Sequence, residues 1–94
     1  MKIRLQGFQE TGQVYLNDKE LDPRPSQKRC NHSPDGFNWG YAGSGPAQLA
    51  LAICMHLDLN MPYQDFKNKY IATLPFGKSF DLILDIEEKV SRVF

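Results

Sequence analysis

The segment Gly43-Ser44-Gly45-Pro46 has the composition of a loop that could bind an anion. A helix is predicted directly after it, and the first turn of a helix offers unpaired amides and a positive dipole end to a phosphate or carboxylate. The segment lacks the lysine of a P-loop and the spacing of a dinucleotide fingerprint, and Pro46 removes one amide. A tight structural turn, in which Gly43 and Gly45 allow positive φ and close packing, explains the same residues.

Two short motifs, Cys30-Asn31-His32 and Cys54-Met55-His56, contain the side chains that zinc prefers. Residues two apart on a helix point about 200° apart, because an α-helix has about 3.6 residues per turn. If Cys54 and His56 lie on the predicted helix, they cannot both face one ion. The sequence therefore predicts two free thiols, no metal site and no cofactor.

A nucleophile, a base and an orienting acid could be drawn from Ser44 or Cys30, with His32 and Asp35. Catalytic sets depend on mutual placement, and Ser, His and Asp in a turn-rich segment commonly brace that segment through local hydrogen bonds. We therefore predict no catalytic residue and a protein that is not an enzyme. A small hydrolase is kept as a third alternative.

Aromatic side chains could form a stacking platform for bases, an anchoring patch for a protein, or part of the core. Trp39 and Tyr41 share one strand face by parity, and one of them is expected to keep its polar tip in water. Gln48 is a polar residue in an apolar stretch, so it either contacts a ligand or braces the loop by hydrogen bonding to backbone. The aromatic residues considered are Phe37, Trp39, Tyr41, Tyr63, Phe66 and Tyr70, and the predicted binding surface comprises His32, Trp39, Tyr41, Gly43, Ser44, Gly45 and Gln48.

The stretch around this loop resembles an uncharacterised small-domain family found in bacteria, phages, plasmids and other mobile elements. The resemblance rests on Asn31-His32-Ser33-Pro34, Gly36-Phe37, Trp39-Gly40-Tyr41 and the run from Gly43 to Ala52, a WGYxGSGPAQLALA-like signature that leads into a helix. The flanking segments are similar to the family as well. The resemblance implies no activity, and it favours a binder that alters host machinery or blunts host defence.

The first half of the chain has strand-like patterns. Residues 1–8 alternate in polarity, and Val14 and Leu16 resume the alternation after a turn. Asn17-Asp18 could be the tip of a second hairpin that returns through Glu20-Leu21. Residues 23–36 are predicted to be irregular, because they hold three prolines and few apolar side chains. A short third strand is predicted at Phe37 and Trp39.

Three helices are predicted in the second half of the chain. The first begins at Pro46 and ends at Leu59. The second begins after Pro62, ends before Pro75, and buries one face, formed by Tyr63, Phe66, Tyr70 and Leu74. The third is predicted from an N-cap at Ser79, with an apolar stripe at Ile83, Ile86, Val90 and Val93 and ion pairs Asp85–Lys89 and Glu88–Arg92.

The length predicts a single domain over residues 1–94. The order of the predicted elements makes it an α+β domain, with a small antiparallel sheet of two to four strands in the N-terminal half packed against about three helices in the C-terminal half. Eleven basic and eleven acidic residues cancel, which removes the electrostatic attraction typical of nucleic-acid and membrane-surface binders. No apolar run is long enough to span a bilayer, the N-terminus does not resemble a signal peptide, and the two cysteines fit a reducing compartment, so a cytoplasmic location is expected.

The sequence favours a non-enzymatic binding module that modulates a host protein complex, such as a defence system, on behalf of a phage or mobile element. The alternative is a domain that binds or sequesters a phosphate-bearing small molecule or nucleotide at the helix start after Gly43.

Overall fold

The computed structural model describes residues 1–87, which form a four-stranded antiparallel sheet and a group of short helices. Counted along residues 1–87, the four strands lie in the order third, second, first, fourth, so the first and last strands of this part of the chain are neighbours. This arrangement confirms the predicted α+β class. The strands are β1 (Lys2–Gly7), β2 (Val14–Leu16), β3 (Lys19–Glu20) and β4 (Phe80–Asp85), and the helices are α1 (Arg24–Arg29), α2 (Ser44–Leu57) and α3 (Tyr63–Phe66), which continues as a π-helical turn (Lys67–Ile71).

The N-terminal hairpins follow the alternation in the sequence. Ile3 and Leu5 of β1 are buried, and Leu5 lies opposite the buried Leu16 of β2. Asn17 and Asp18 take left-handed backbone conformations, with φ of 51° and 71°, which a two-residue hairpin turn requires. The predicted second hairpin is therefore confirmed, and its return strand is β3.

The predicted third helix is wrong for the described residues, because Phe80–Asp85 form β4. Phe80 is buried while Asp81 is exposed, and β4 pairs with β1 so that Phe80 lies opposite Gly7. The Ser79 hydroxyl accepts a hydrogen bond from the Gln9 amide rather than capping a helix. A hydrophobic run this short fits a helical or a strand period, and pairing with β1 decides between them. The rest of the predicted stripe and its ion pairs, at residues 88–93, lie outside the described residues.

Two predictions for residues 23–39 are also wrong. Arg24–Arg29 form α1, because Pro23 at the N-cap and Pro25 in the first turn fill positions where a missing amide costs no helical hydrogen bond. No strand forms at Phe37 and Trp39, although Trp39 is buried. Tertiary packing, rather than strand pairing, therefore buries the tryptophan.

Helix α2 is the centre of the helical layer and contacts α1, α3 and the π-helical turn. It begins at Ser44, two residues before the predicted start, and ends at Leu57, because Asp58 adopts a left-handed conformation at the C-cap. The predicted second helix starts at Tyr63 as expected but ends at Ile71, before Leu74. Phe66, Tyr70 and Leu74 are buried, whereas Tyr63 is half-buried. The core lies between these helices and the buried side chains of the sheet. No helix within residues 1–87 combines the length and apolar character needed to cross a bilayer.

Gly7 is expected to be intolerant of a side chain. A Cβ atom there would lie 2.9 Å from Cη2 of Trp39 and would overlap the ring of Phe80. Gly7→Ala should therefore lower the free energy of unfolding by about 1–3 kcal/mol, the usual cost of overpacking a core. Urea denaturation measures this, with Lys2→Ala on the exposed face of β1 as the control. Equal stability of the two variants would contradict the packing of Trp39 and Phe80 on β1.

Candidate functional site

Gln48, in the first half of α2, is fully buried and makes four hydrogen bonds through its side-chain amide. Its Oε1 accepts from the backbone amides of His32 (2.7 Å) and Ser33 (3.0 Å). Its Nε2 donates to Ser26 Oγ (2.9 Å) and to the carbonyl of Cys30 (3.2 Å). These bonds use both donors and both lone pairs of the amide, so Gln48 fastens α1 and the following loop to α2 and offers nothing to a ligand.

His32 is half-buried and lies beside α3. Its Nε2 shares a hydrogen bond with Tyr63 Oη at 2.7 Å, and the two ring centroids are 5.6 Å apart. In the described part of the chain, no hydrogen bond joins the His32 ring to the side chains of Ser44, Cys30 or Asp35. The catalytic set considered from the sequence is therefore not assembled around this histidine.

Trp39 fastens the loop before α2 to the sheet. Its ring packs edge-on against Phe80 with centroids 5.0 Å apart, and its Nε1 donates to the carbonyl of Lys78 at 2.9 Å. The next residue, Gly40, has φ of +84° and donates its amide to the carbonyl of Ile71. A Cβ at Gly40 would lie within 2.8 Å of backbone atoms of the segment that contains Leu74 and Phe76, so only glycine fits there.

Tyr41 and Phe76 form an exposed pair, which we call the Tyr41–Phe76 patch. Their rings meet edge-on at 5.7 Å, and the side chains are 37% and 68% exposed. A Cβ at Gly43 would overlap the ring of Tyr41, so this glycine lets the ring lie against the start of α2. Tyr41 is the one of the two predicted aromatic residues that stays partly exposed, while Trp39 is buried.

The start of α2 is capped by backbone alone. Gly43 is the N-cap and supplies no side-chain hydrogen bond, and Pro46 in the first turn has no amide. Ser44 is exposed, whereas Gly45 is buried, and a Cβ there would come within 2.6 Å of Asn38 Cβ. The amides of Ser44 and Gly45 precede any intrahelical acceptor. The Gly45 backbone is covered, which leaves Ser44 as the accessible residue of this turn.

The predicted binding residues thus fall into different environments. Tyr41, Gly43 and Ser44 lie together at the surface where α2 begins. Gln48, one turn further along α2, accepts a hydrogen bond from the backbone amide of His32, and the His32 ring contacts Tyr63. The remaining two predicted residues, Trp39 and Gly45, are buried and support the loop.

Phe76 was missed by the sequence reasoning. It lies between Pro75 and Gly77, which the sequence marks only as the end of a helix. A large apolar residue inside a turn is the available signal, because turn positions are usually polar or small. Its pairing with Tyr41 depends on residues far apart in the chain and could not be read from local pattern.

The two cysteines have different surroundings. Cys30 is exposed at the end of α1, and Cys54 is buried in α2, where burial raises the pKa of its thiol to about 12. His56, two residues further along α2, is exposed. Among residues 1–87, no group of three or more His, Cys, Asp or Glu side chains is arranged to hold a metal ion.

Replacing Gln48 should destabilise the fold. Gln48→Ala leaves one buried hydroxyl and three partly buried backbone groups without this partner, and each one that stays unsatisfied away from water costs about 1–3 kcal/mol. We expect a loss of at least about 2 kcal/mol in the free energy of unfolding, measured by urea denaturation. Gln64→Ala, at an exposed position of α3, should change it by less than about 0.5 kcal/mol. A Gln48→Ala variant as stable as that control would show that the amide network contributes nothing.

The thiols should differ in alkylation. Near pH 8 the Cys54 thiolate, with a pKa of about 12, is about one part in ten thousand of the population, and thiolate is the reactive form. Iodoacetamide should therefore modify one thiol in the native protein and two in denaturant, as counted by mass spectrometry. Native Cys30→Ser should remain unmodified. Rapid modification of that variant would contradict the burial of Cys54.

The chain was compared with known families, curated proteins and solved structures. No curated protein and no solved structure matches it. Residues 5–92 match the family of unknown function DUF6166, which covers nearly the whole chain, including all of α2 and the loop before it. The match confirms the resemblance to an uncharacterised domain family. The chain is therefore a member of the family of unknown function DUF6166.

Proposed function

We propose that this protein is a binding module whose contact surface for another protein is centred on the Tyr41–Phe76 patch. The observation that carries the proposal is the 68% exposure of Phe76, the highest among the large apolar side chains in the described part of the chain. Aromatic side chains of this kind anchor protein interfaces, because they bury a large area on binding at little conformational cost. Tyr41 adds a second ring with a hydroxyl at its edge.

The backbone under the patch is held in place from several sides. The amide of Gly40, next to Tyr41, is bonded to the carbonyl of Ile71. After Phe76, the carbonyl of Lys78 accepts the indole hydrogen bond of Trp39. A surface held in its binding conformation loses less entropy on association than a mobile one. This support favours a recognition role for the patch over a chance exposure of two rings.

The partner expected from the sequence is a host protein complex, such as a defence system. The protein is expected to be encoded by a phage or another mobile element. These assignments rest on the resemblance of the chain and are part of the proposal, as is a cytoplasmic location. The zero formal net charge favours a protein partner over nucleic acid, since no bulk attraction to phosphate is present.

A second candidate is the binding of a phosphate-bearing small molecule at the start of α2. It is supported by the exposed Ser44 and by the absence of a side-chain cap at Gly43. It is weakened by the covered backbone of Gly45 and by Pro46, which removes an amide from the same turn. The accessible amides are fewer than a phosphate loop normally supplies, so we place the protein partner first.

Loss of the Phe76 ring should abolish partner capture without unfolding the domain. Phe76→Ala should retain the wild-type melting temperature, because the side chain is largely exposed, and should fail to retain a partner that the wild-type protein captures from host lysate. Phe8→Ala is the matched control, since Phe8 is also exposed (42%) and also packs edge-on against a tyrosine, Tyr15. Bound proteins are identified and compared by quantitative mass spectrometry, and the control should retain the partner.

Two outcomes would contradict the proposed surface. One is a partner that binds wild type and Phe76→Ala equally and is lost with Phe8→Ala. The other is a rise in melting temperature with inorganic phosphate or nucleotides that disappears in a Ser44→Ala variant, which would favour the second candidate. Tyr41→Phe then separates the roles of ring and hydroxyl, because it keeps the contact with Phe76 and removes the oxygen.

A further inference from the structure

Strand β4 is an edge strand of the sheet within residues 1–87. An edge strand presents backbone amides and carbonyls that can pair with another strand, and natural proteins usually obstruct such edges with charged side chains, lysine above all, with proline or with a bulge. β4 reads Phe80-Asp81-Leu82-Ile83-Leu84-Asp85, six residues without a lysine or a proline, and its pairing with β1 runs through all six without a bulge. Among residues 1–87, no strand covers the outer edge of β4, which is therefore open to pairing within this part of the chain.

The hydrogen bonds at the end of the sheet show which backbone groups face this edge. Met1 and Ile86 exchange both backbone bonds, with N···O distances of 3.1 Å and 2.6 Å. In an antiparallel ladder, hydrogen-bonded pairs alternate with non-bonded pairs. Phe80, Leu82 and Leu84 therefore bond to β1, and the amides and carbonyls of the other three residues of β4, namely Asp81, Ile83 and Asp85, point outward.

The side chains along this edge are also incompletely covered. Leu82 faces the same side of the sheet as the buried Leu5 opposite it, yet it is 41% exposed. Ile83, on the other face, is 63% exposed. The two carboxylates beside Ile83 are already paired: Asp81 with Arg4 at 2.7 Å, and Asp85 with the N-terminal amine at 3.8 Å. An approaching strand therefore meets the apolar Leu82 and Ile83 between two carboxylates that each already have a cationic partner.

We infer that β4 is a homodimerisation strand, which pairs antiparallel with β4 of a second copy of this chain and joins the two sheets into one. The outward groups of Asp81 and Ile83 in one copy bond to those of Ile83 and Asp81 in the other. This register places Leu82 opposite its symmetry mate and Phe80 opposite Leu84, so each pair on the inner face is apolar.

Charge complementarity selects this register and this occupant. In the register that places Ile83 opposite its mate, Asp81 would face Asp85 of the other copy twice, and like charges directly opposite one another are destabilising. Centring the pair on Leu82 places Asp81 opposite Ile83 and removes that repulsion. The chain has no formal net charge, so two copies do not repel each other as they approach. The edge is thus complementary to itself.

The association is measured by analytical ultracentrifugation from micromolar to millimolar protein. The wild-type mass should double over this range, and the amides of Asp81 and Ile83 should become protected from hydrogen exchange as the dimer forms. Ile83→Pro removes only an outward amide, which proline tolerates on an edge strand, and so should keep the monomer fold. It should raise the dimer dissociation constant by about tenfold or more, since one bond is lost on each side of the two-fold axis.

Ile83→Glu is the second variant, in case proline perturbs the strand. The new carboxylate lies opposite Arg4 in the β1 pairing and faces Asp81 of the second copy, so like charges oppose strand addition. Phe76→Ala serves as the control and should dimerise like wild type. This control also separates the two proposals, since partner capture is tested at Phe76 and self-association at Ile83.

The register is tested by cross-linking in a Cys30→Ser background. Residues at position 82 of the two copies would form a non-hydrogen-bonded pair with Cα atoms about 4.5 Å apart, within the range of a disulfide. Leu82→Cys should therefore cross-link rapidly under mild oxidation and Ile83→Cys slowly.

Three results would overturn the inference. They are a wild-type protein that stays monomeric at millimolar concentration, a dimer that persists in both Ile83 variants, or rapid cross-linking through position 83 and not through 82.

Discussion

The buried amide of Gln48 is the interaction on which the region between the sheet and α2 depends. Residues 30–37 follow α1 without forming a strand or a further helix, so their backbone groups need partners from elsewhere. Gln48 pairs with backbone groups of His32, Ser33 and Cys30, and also with the Ser26 hydroxyl. One side chain therefore supplies hydrogen-bond partners to the backbone of this segment, as a neighbouring strand does for an edge strand. The same contacts explain why a polar residue stands in the most apolar stretch of the chain.

A second set of contacts, made by Trp39, joins the other end of this segment to the sheet. Trp39 packs on Phe80 of β4 and lies close to Gly7 of β1, and its indole hydrogen bond reaches Lys78. Because Gly7 lies opposite Phe80 in the β1–β4 ladder, the tryptophan sits over a pairing between the first and last strands of the described chain. The aromatic packing and the sheet register thus support each other, and both depend on contacts between residues distant in sequence.

The two surfaces proposed for binding are connected through the same scaffold. The segment from Phe76 leads within four residues to Phe80, where β4 begins, so the exposed ring and the free strand edge belong to one continuous stretch of chain. A dimer paired through β4 would carry two Tyr41–Phe76 patches related by a two-fold axis. Such an arrangement raises the apparent affinity for a partner that is itself repeated or symmetric, because the second contact becomes intramolecular.

The sequence by itself determined the elements whose pattern is local. The alternation of Ile3 and Leu5, the turn at Asn17-Asp18 and the apolar run of α2 each identify their element, because one period or one turn chemistry fits the residues. The order of these patterns along the chain also indicated an α+β domain, and the stretch around Gly43 resembled an uncharacterised domain family. For the candidate site, local reasoning placed Tyr41 and Ser44 among seven candidate binding residues without separating them from the buried Trp39 and Gly45, and it offered bracing as one role for Gln48.

Tertiary structure decided the rest. The segment after Ser79 fits a helical or a strand period, and it becomes β4 because β1 offers a free edge and Trp39 packs on Phe80. The burial of Trp39 and Gly45, the partners of Gln48 and the meeting of Tyr41 with Phe76 all depend on contacts across long sequence separations. A local pattern records only which side chains favour burial or a given backbone conformation. The partner that each one meets is decided when the whole chain folds.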